Sequence, residues 1–162
     1  MTPLIRDYKA KDRTALEKLM VVLQEHLVDI DPLKRQRCTR DYGRKYVVDL
    51  LQQTRKGDGK IFVAEEDGDV VGCSACVVLR QSATELLNEY PLVEGRVLEL
   101  VVLPGMRGKG IGTALMHAAE EYLQDKGCRG ARVEVFTPNE NARCLYERLG
   151  YTERVADLIK LF

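Results

Sequence analysis

A chain of 162 residues, 45% hydrophobic and 31% charged, has the length of one ordinary domain and enough apolar content to close a core. Its 25 basic residues are matched by 25 acidic ones, so no net field recruits nucleic acid or a membrane surface, and no apolar run approaches membrane-spanning length. Five cysteines cannot all pair within one chain, and MTPLIRDYKAKDR lacks the apolar centre of a secretory signal; both point to a reducing, cytoplasmic setting.

Residues 3–8 read as a short first strand. Asp12 stands where it can cap a helix whose apolar stripe is Leu16, Leu19, Met20, Leu23, Leu27 and Ile30. His26, near the end of that helix, reads as a solvated or capping residue without chemistry. Asp29, Asp31 and Pro32 break the helix, and Lys34, Arg35, Arg37 and Arg40 make the following stretch basic. A second helix has Tyr42, Tyr46, Val47, Leu50 and Leu51 at helical spacing and stops near Gly57. Residues 60–66 and 70–79 are strands joined through Asp67-Gly68, a dipeptide suited to a tight hairpin. Cys73 and Cys76 have the spacing of a redox pair, but residues three apart on a strand face opposite sides, and no helix N-terminus is at hand to lower a thiol pKa. Cys38, Cys128, Cys144 and the two histidines are too scattered for a zinc site, so no metal is expected. Residues 80–95 form a long connection of the kind that is often functional.

Residues 97–103 make an apolar strand interrupted only by Glu99, and Pro104-Gly105 ends it. The turn Arg107-Gly108-Lys109-Gly110-Ile111-Gly112 then enters a helix with Ile111, Leu115, Ala118, Ala119 and Tyr122 at helical spacing. First-turn amides have no partner within a helix, the helix dipole favours negative charge there, and glycines allow close approach, so this turn reads as a pyrophosphate cradle with Arg107 and Lys109 adding positive charge. A triphosphate-binding P-loop is excluded, because Ile111-Gly112 follow Gly110 where Lys and Ser or Thr are required; a dinucleotide fingerprint is excluded because the third glycine is out of register. Lys126-Gly127 ends the helix, residues 131–136 form another strand, and Asn139 caps a last helix with Ala142, Leu145, Tyr146 and Leu149 on one face. Gly150 closes that helix, and residues 151–162 read as one or two final strands.

The turn, written Arg107-x-x-Gly110-x-Gly112, resembles the [QR]xxGxG/A acyl-CoA-binding signature of the GNAT superfamily of N-acetyltransferases. The stretch from Asn139 through Ala142, Leu145, Tyr146, Leu149 and Gly150 to Tyr151 resembles that family's closing signature, Nxx-A-xx-LYxxLG[FY]. With both motifs in order, the chain is identified as a member of the family. The expected fold is α/β with an α+β mixed sheet, the GNAT acyl-CoA N-acyltransferase fold. A single domain over residues 1–162 would have antiparallel strands in front and a parallel strand pair beside the cofactor cleft.

The resemblance implies acetyl-CoA as cosubstrate and an amine as acceptor. It implies that the main chain of Leu100, Val101 and Val102 runs beside the pantetheine arm, with one amide polarising the thioester oxygen. It assigns the diphosphate to Arg107, Gly108, Lys109, Gly110, Ile111, Gly112 and Thr113, and makes Asn139 both a helix cap and a pantetheine contact. Tyr146 matches the family's general acid to the departing thiolate; periodicity alone would make it a core aromatic beside Leu145 and Leu149. For the base, Glu99 and Glu134 each interrupt an apolar strand, and an unpaired buried carboxylate is costly, so each should face a wet cleft or an arginine such as Arg96 or Arg132. A water relay is the third choice.

The acceptor side of this fold is shaped by the first two helices, their loop and the long connection. Glu25, Asp29, Asp31, Glu85 and Glu89 there suit a cationic amine, although Lys34, Arg35 and Arg37 oppose it. The expected activity is acetyl transfer from acetyl-CoA to a primary amine on a small cationic molecule, by direct attack in a ternary complex. The alternatives are a protein N-terminal or lysine acetyltransferase, favoured by Glu134, and a non-catalytic acyl-CoA sensor. Neither nucleic acid nor membrane is an expected partner, and the pattern is compatible with a homodimer.

Overall fold

The computed structural model describes residues 3–162. Its elements are β1 (Leu4–Asp7), α1 (Arg13–Ile30), α2 (Tyr42–Lys56), β2 (Lys60–Glu66), β3 (Asp69–Leu79), the one-turn α3 (Glu85–Asn88), β4 (Glu94–Val102), α4 (Ile111–Asp125), β5 (Gly130–Val133) and α5 (Glu140–Arg148). The strands form one sheet in the order β1-β2-β3-β4-β5, with the first three pairings antiparallel and β4–β5 parallel. This is the expected mixed sheet. Asp67 and Gly68 turn the β2–β3 hairpin with φ of 53° and 89°, the paired left-handed conformations of a two-residue hairpin loop.

Period-two alternation along the central strands feeds two cores, one on each face. Phe62, Val71, Cys76 and Val97 pack under Ile111, Leu115, Met116, Ala119 and Leu123 of α4. On the opposite face Ile61, Val63, Cys73, Ala75 and Val101 pack under Leu16, Leu19 and Met20 of α1 and Val47 and Leu50 of α2. Cys73 and Cys76 therefore lie in different cores, both unpaired and buried. Burial pushes the Cys76 thiol up to about 11 and that of Cys73 higher still, the reverse of what a reactive pair requires.

Three sequence expectations need correction. Asp12 does not cap α1 with its side chain; it accepts the N–H of Lys9 at 2.8 Å and both terminal nitrogens of Arg6, at 2.7 and 2.9 Å, while Arg6 also reaches Glu65 at 2.6 Å. β5 ends at Val133 rather than running to residue 136, leaving Glu134 outside the strand. Residues 151–162 form no strand. Their start is pinned by the Tyr151 hydroxyl on Glu120 (2.8 Å), and Glu153 and Arg154 are taken by Arg143 (3.2 Å) and Glu89 (2.7 Å) instead of a ladder. Val155, Leu158, Leu161 and Phe162 stay exposed, because β-forming residues make a strand only where a neighbouring ladder and a covering layer receive them.

The Arg6–Asp12 pair ties the first strand to the start of α1 from a buried position, and Arg6 holds the Asp12 carboxyl down at about 2, well below the ordinary carboxylate range. A depressed folded pKa stabilises above the unfolded value and is lost as pH falls through the folded one. Asp12→Asn should lower the unfolding free energy by about 2 kcal/mol at pH 7, and chemical denaturation at stepped pH should show the two proteins converging between about pH 4 and pH 2.

Candidate functional site

β5 pairs with β4 only from Glu94–Gly130 to Val97–Val133, whereas β4 continues to Val102. From Glu99 to Val102 the strand is bonded to β3 on one side and, among the described residues, has no strand on the other. The predicted stretch Leu100, Val101, Val102 thus lies along an open sheet edge, whose free main-chain groups can pair with an extended polar ligand.

This edge leads into the glycine turn. Pro104–Met106 make a single 3-10 turn, and Gly108 and Gly110 adopt φ of 77° and 80°, conformations that an L side chain takes only under strain. Gly110 is the N-cap of α4, and the first helical bond runs from the N–H of Ala114 to its carbonyl at 3.0 Å. The N–H groups of residues 108–113 find no acceptor among the described residues. A Cβ on Gly105, Gly108 or Gly110 would meet no atom within 4 Å, so the space before these amides is free. Arg107 is anchored by its Nε–H on the Val102 carbonyl at 3.0 Å, which brings its guanidinium over the end of β4. Lys109 is exposed beside it, in weak contact with the Met106 sulfur at 3.5 Å. Free amides, a helix N-terminus, two cations and open space fit a diphosphate.

α5 approaches from the other side. The Asn139 side chain accepts the N–H of Ala142 at 3.3 Å, so the expected cap is present. Leu145 touches the position above Gly112, 3.3 Å from where a Cβ would lie. Tyr146 packs against the α4 core and meets Tyr151 edge to face at 5.8 Å. Burial first, then the charge of Glu99, pushes its phenol up to about 12, so it is protonated at neutral pH and able to donate.

The two glutamates part company. Ala75 faces Glu99 and Cys76 faces Val97, which leaves Leu98 as an extra residue in β4. This bulge puts Leu98 and Val101 in the α1/α2 core but Val97, Leu100 and Val102 in the α4 core. It also turns Glu99 towards α2, where it accepts a hydrogen bond from the Tyr46 hydroxyl. Burial raises the Glu99 carboxyl above its ordinary value, while Tyr46 and then Arg96 oppose the rise. Glu134 lies past β5 with 82% of its side chain exposed and is bonded to Arg96 at 2.7 Å. The arginine expected for one of them is there, but it belongs to Glu134. Among the acids expected on the acceptor side, Asp31 is buried and consumed by the N–H groups of Leu33, Arg35 and Gln36, Glu85 by Ser82, and Glu89 by Arg154.

Helical spacing places Tyr42 and Tyr46 on the apolar stripe of α2 and says nothing of their hydroxyls. Their rings stack at 5.1 Å beside Glu99, and the only signal available was two hydroxyl-bearing aromatics four apart on one helical face. A separate concavity of about 650 Å³ lies under the C-terminal half of α4, between β5 and Tyr151, and includes none of the glycine-turn residues or the two glutamates.

The Acetyltransferase (GNAT) family profile matches residues 23–151. This chain belongs to that family. It is 32% identical over 115 residues to an uncharacterized N-acetyltransferase of Methanocaldococcus jannaschii, a match covering 71% of this chain and 47% of the relative. It is 37% identical over 107 residues to an uncharacterized N-acetyltransferase of Archaeoglobus fulgidus, covering 64% of this chain and 65% of that one. The matched region thus spans about half to two thirds of these GNAT relatives' lengths. A solved putative acetyl transferase from Pyrococcus furiosus shares the fold at 20% identity, with a TM-score of 0.74 over 98% of this chain and 99% of that one.

Two substitutions separate strain from charge at the turn. Gly110→Ala adds a methyl to open space at a backbone cost of about 1 kcal/mol and should keep coenzyme A affinity within about tenfold. Gly110→Asp places a carboxylate before the free amides and should abolish the calorimetric heat of coenzyme A binding.

Proposed function

We propose that this chain is an N-acetyltransferase that moves an acetyl group from acetyl-CoA to a primary amine held between α2 and β4. The observation that supports it most is the run of acceptor-free amides at residues 108–113, continuous with the open edge of β4 and flanked by Glu99 and Tyr146. Acetyl-CoA supplies an acyl thioester, a carbonyl open to attack with a thiolate as leaving group. Residues 107–113 would hold its diphosphate, and the edge at Leu100, Val101 and Val102 together with Asn139 its pantetheine arm.

The chain's own residues then have three tasks. Binding along β4 fixes the acyl carbon and the amine nitrogen within reach of each other, which removes much of the entropic barrier. Glu99 accepts the proton that an alkylammonium must lose before its nitrogen can attack; a carboxyl raised by burial is a better base than an exposed one. Tyr146 gives its proton to the leaving thiolate. The nitrogen's second proton, shed as the amide forms, restores the Tyr146 phenol, so Glu99 passes one proton to solvent for each alkylammonium acetylated.

A small cationic acceptor is supported by Glu99 and by the stacked faces of Tyr42 and Tyr46, which attract an ammonium group. It draws no support from Asp31, Glu85 and Glu89, which are already engaged by backbone N–H groups, Ser82 and Arg154. The protein-acceptor alternative draws on Glu134, whose carboxylate is committed to Arg96 at the surface.

A panel of polyamines, amino sugars, lysine and N-terminal peptides, assayed with acetyl-CoA by free-thiol release, should find at least one acceptor. Tyr146→Phe should then lower kcat by about 100-fold or more while leaving coenzyme A affinity intact. A sensor without turnover would release no thiol with any amine and would be indifferent to the substitution.

A further inference from the structure

Helical spacing puts Tyr42 and Tyr46 on one face of α2, and the structure braces them in series. Gln24 of α1, itself buried, donates through its side-chain nitrogen to Gln36 Oε1 at 3.0 Å and to the Arg37 carbonyl at 2.9 Å. Its amide oxygen is therefore fixed, and it accepts the Tyr42 hydroxyl at 3.1 Å. The Tyr42 ring lies 14° from parallel with that of Tyr46, whose hydroxyl donates to Oε1 of Glu99. Oε2 of Glu99 has no hydrogen-bond partner among the described residues.

The surroundings of Glu99 contain little else that could hold it. Arg96, on the same strand, is bonded to Glu134. Cys73 of β3 is a neutral thiol at neutral pH, Tyr146 of α5 is a neutral phenol, and α1 reaches this region through the uncharged Gln24–Tyr42 contact. The bulge at Leu98 aims the carboxylate at Tyr46, and among the described residues Tyr46 supplies its one direct hydrogen bond.

We propose that Tyr46 is a positioning residue for acetyl transfer: its hydroxyl, braced through Tyr42 and Gln24, holds Oε1 of Glu99 and leaves Oε2 free to take the acceptor amine's proton. This rests on the reading of Glu99 as the base. A donor to the charged carboxylate also favours its ionised form, so its loss should drive the Glu99 carboxyl further up.

The tests are Tyr46→Phe, Glu99→Gln and the double variant, compared by pH–rate profiles with an acceptor from the amine panel, and by carbon-13 NMR titration of the Glu99 carboxyl in the wild type and Tyr46→Phe. Thermal unfolding checks that each variant is folded. Tyr46→Phe should leave coenzyme A affinity and the amine KM within about threefold, lower kcat about 10- to 100-fold at neutral pH, and move the acid limb of kcat/KM upward by about one pH unit, the NMR titration moving with it. Glu99→Gln should remove that limb, and adding Tyr46→Phe to it should change nothing further. An unmoved limb and carboxyl titration in Tyr46→Phe, or a full additional loss in the double variant, would overturn the inference. A limb surviving Glu99→Gln would overturn the base assignment and this inference with it, whereas an NMR titration that stays put in Tyr46→Phe sinks only the role given to Tyr46.

Discussion

Beyond the Val97–Val133 pair, β4 has a neighbour on one side only, and the arrangement of the candidate site depends on that parting. Two parallel strands that stayed bonded to their ends would leave no main-chain edge in the middle of the sheet. β5 stops after four residues, and after the turn to Asn139 the helix α5 sets Leu145 beside Gly112 and packs Tyr146 against the α4 core. The freed edge of β4 runs straight into the amides of the glycine turn. One strip results: a sheet edge whose Val102 carbonyl is taken by Arg107, then the 3-10 turn at Pro104–Met106, then the acceptor-free amides of a helix N-terminus. A long ligand with a polar arm and an anionic diphosphate complements such a strip in shape and in charge.

The opposite side of β4 solves a different problem, how to keep a carboxylate inside a protein core. Glu99 is turned there by one extra residue, and the polar groups around it form a connected series from the α1–α2 loop through Gln24, Tyr42 and Tyr46. Asp31 organises the loop from which that series starts by accepting three backbone N–H groups. Among the described residues no buried side-chain polar atom lacks a partner. A network satisfied except at the outer oxygen of Glu99 holds that carboxylate in place, and a fixed position is what a proton acceptor needs if it is to stand at a set distance from a reacting nitrogen.

Much of this was legible in the residues. Helical stripes located α1, α2 and α4, Asp67-Gly68 located the hairpin, Asn139 located the α5 cap, and the glycine turn pointed to the acceptor-free amides. What escaped was whatever depends on a partner distant in sequence. Apolar periodicity cannot register the bulge at Leu98, because both faces of β4 are covered and either orientation reads as apolar. The stacked tyrosines looked like core because their hydroxyl partners lie 18 and 53 residues away. The final stretch has the composition of a strand, but strand formation needs an adjoining ladder, and that is a property of the whole sheet rather than of the segment.

On the proposed function, the backbone at residues 108–113 and the edge of β4 would form one binding strip for acetyl-CoA. Amide hydrogen exchange, followed residue by residue with and without coenzyme A, tests it most directly. Exchange should slow at Gly108–Thr113 and along residues 98–102 together, with α1 and the β1–β2 edge unchanged. Protection confined to the concavity beneath α4, or absent from the glycine turn at saturating coenzyme A, would contradict the account.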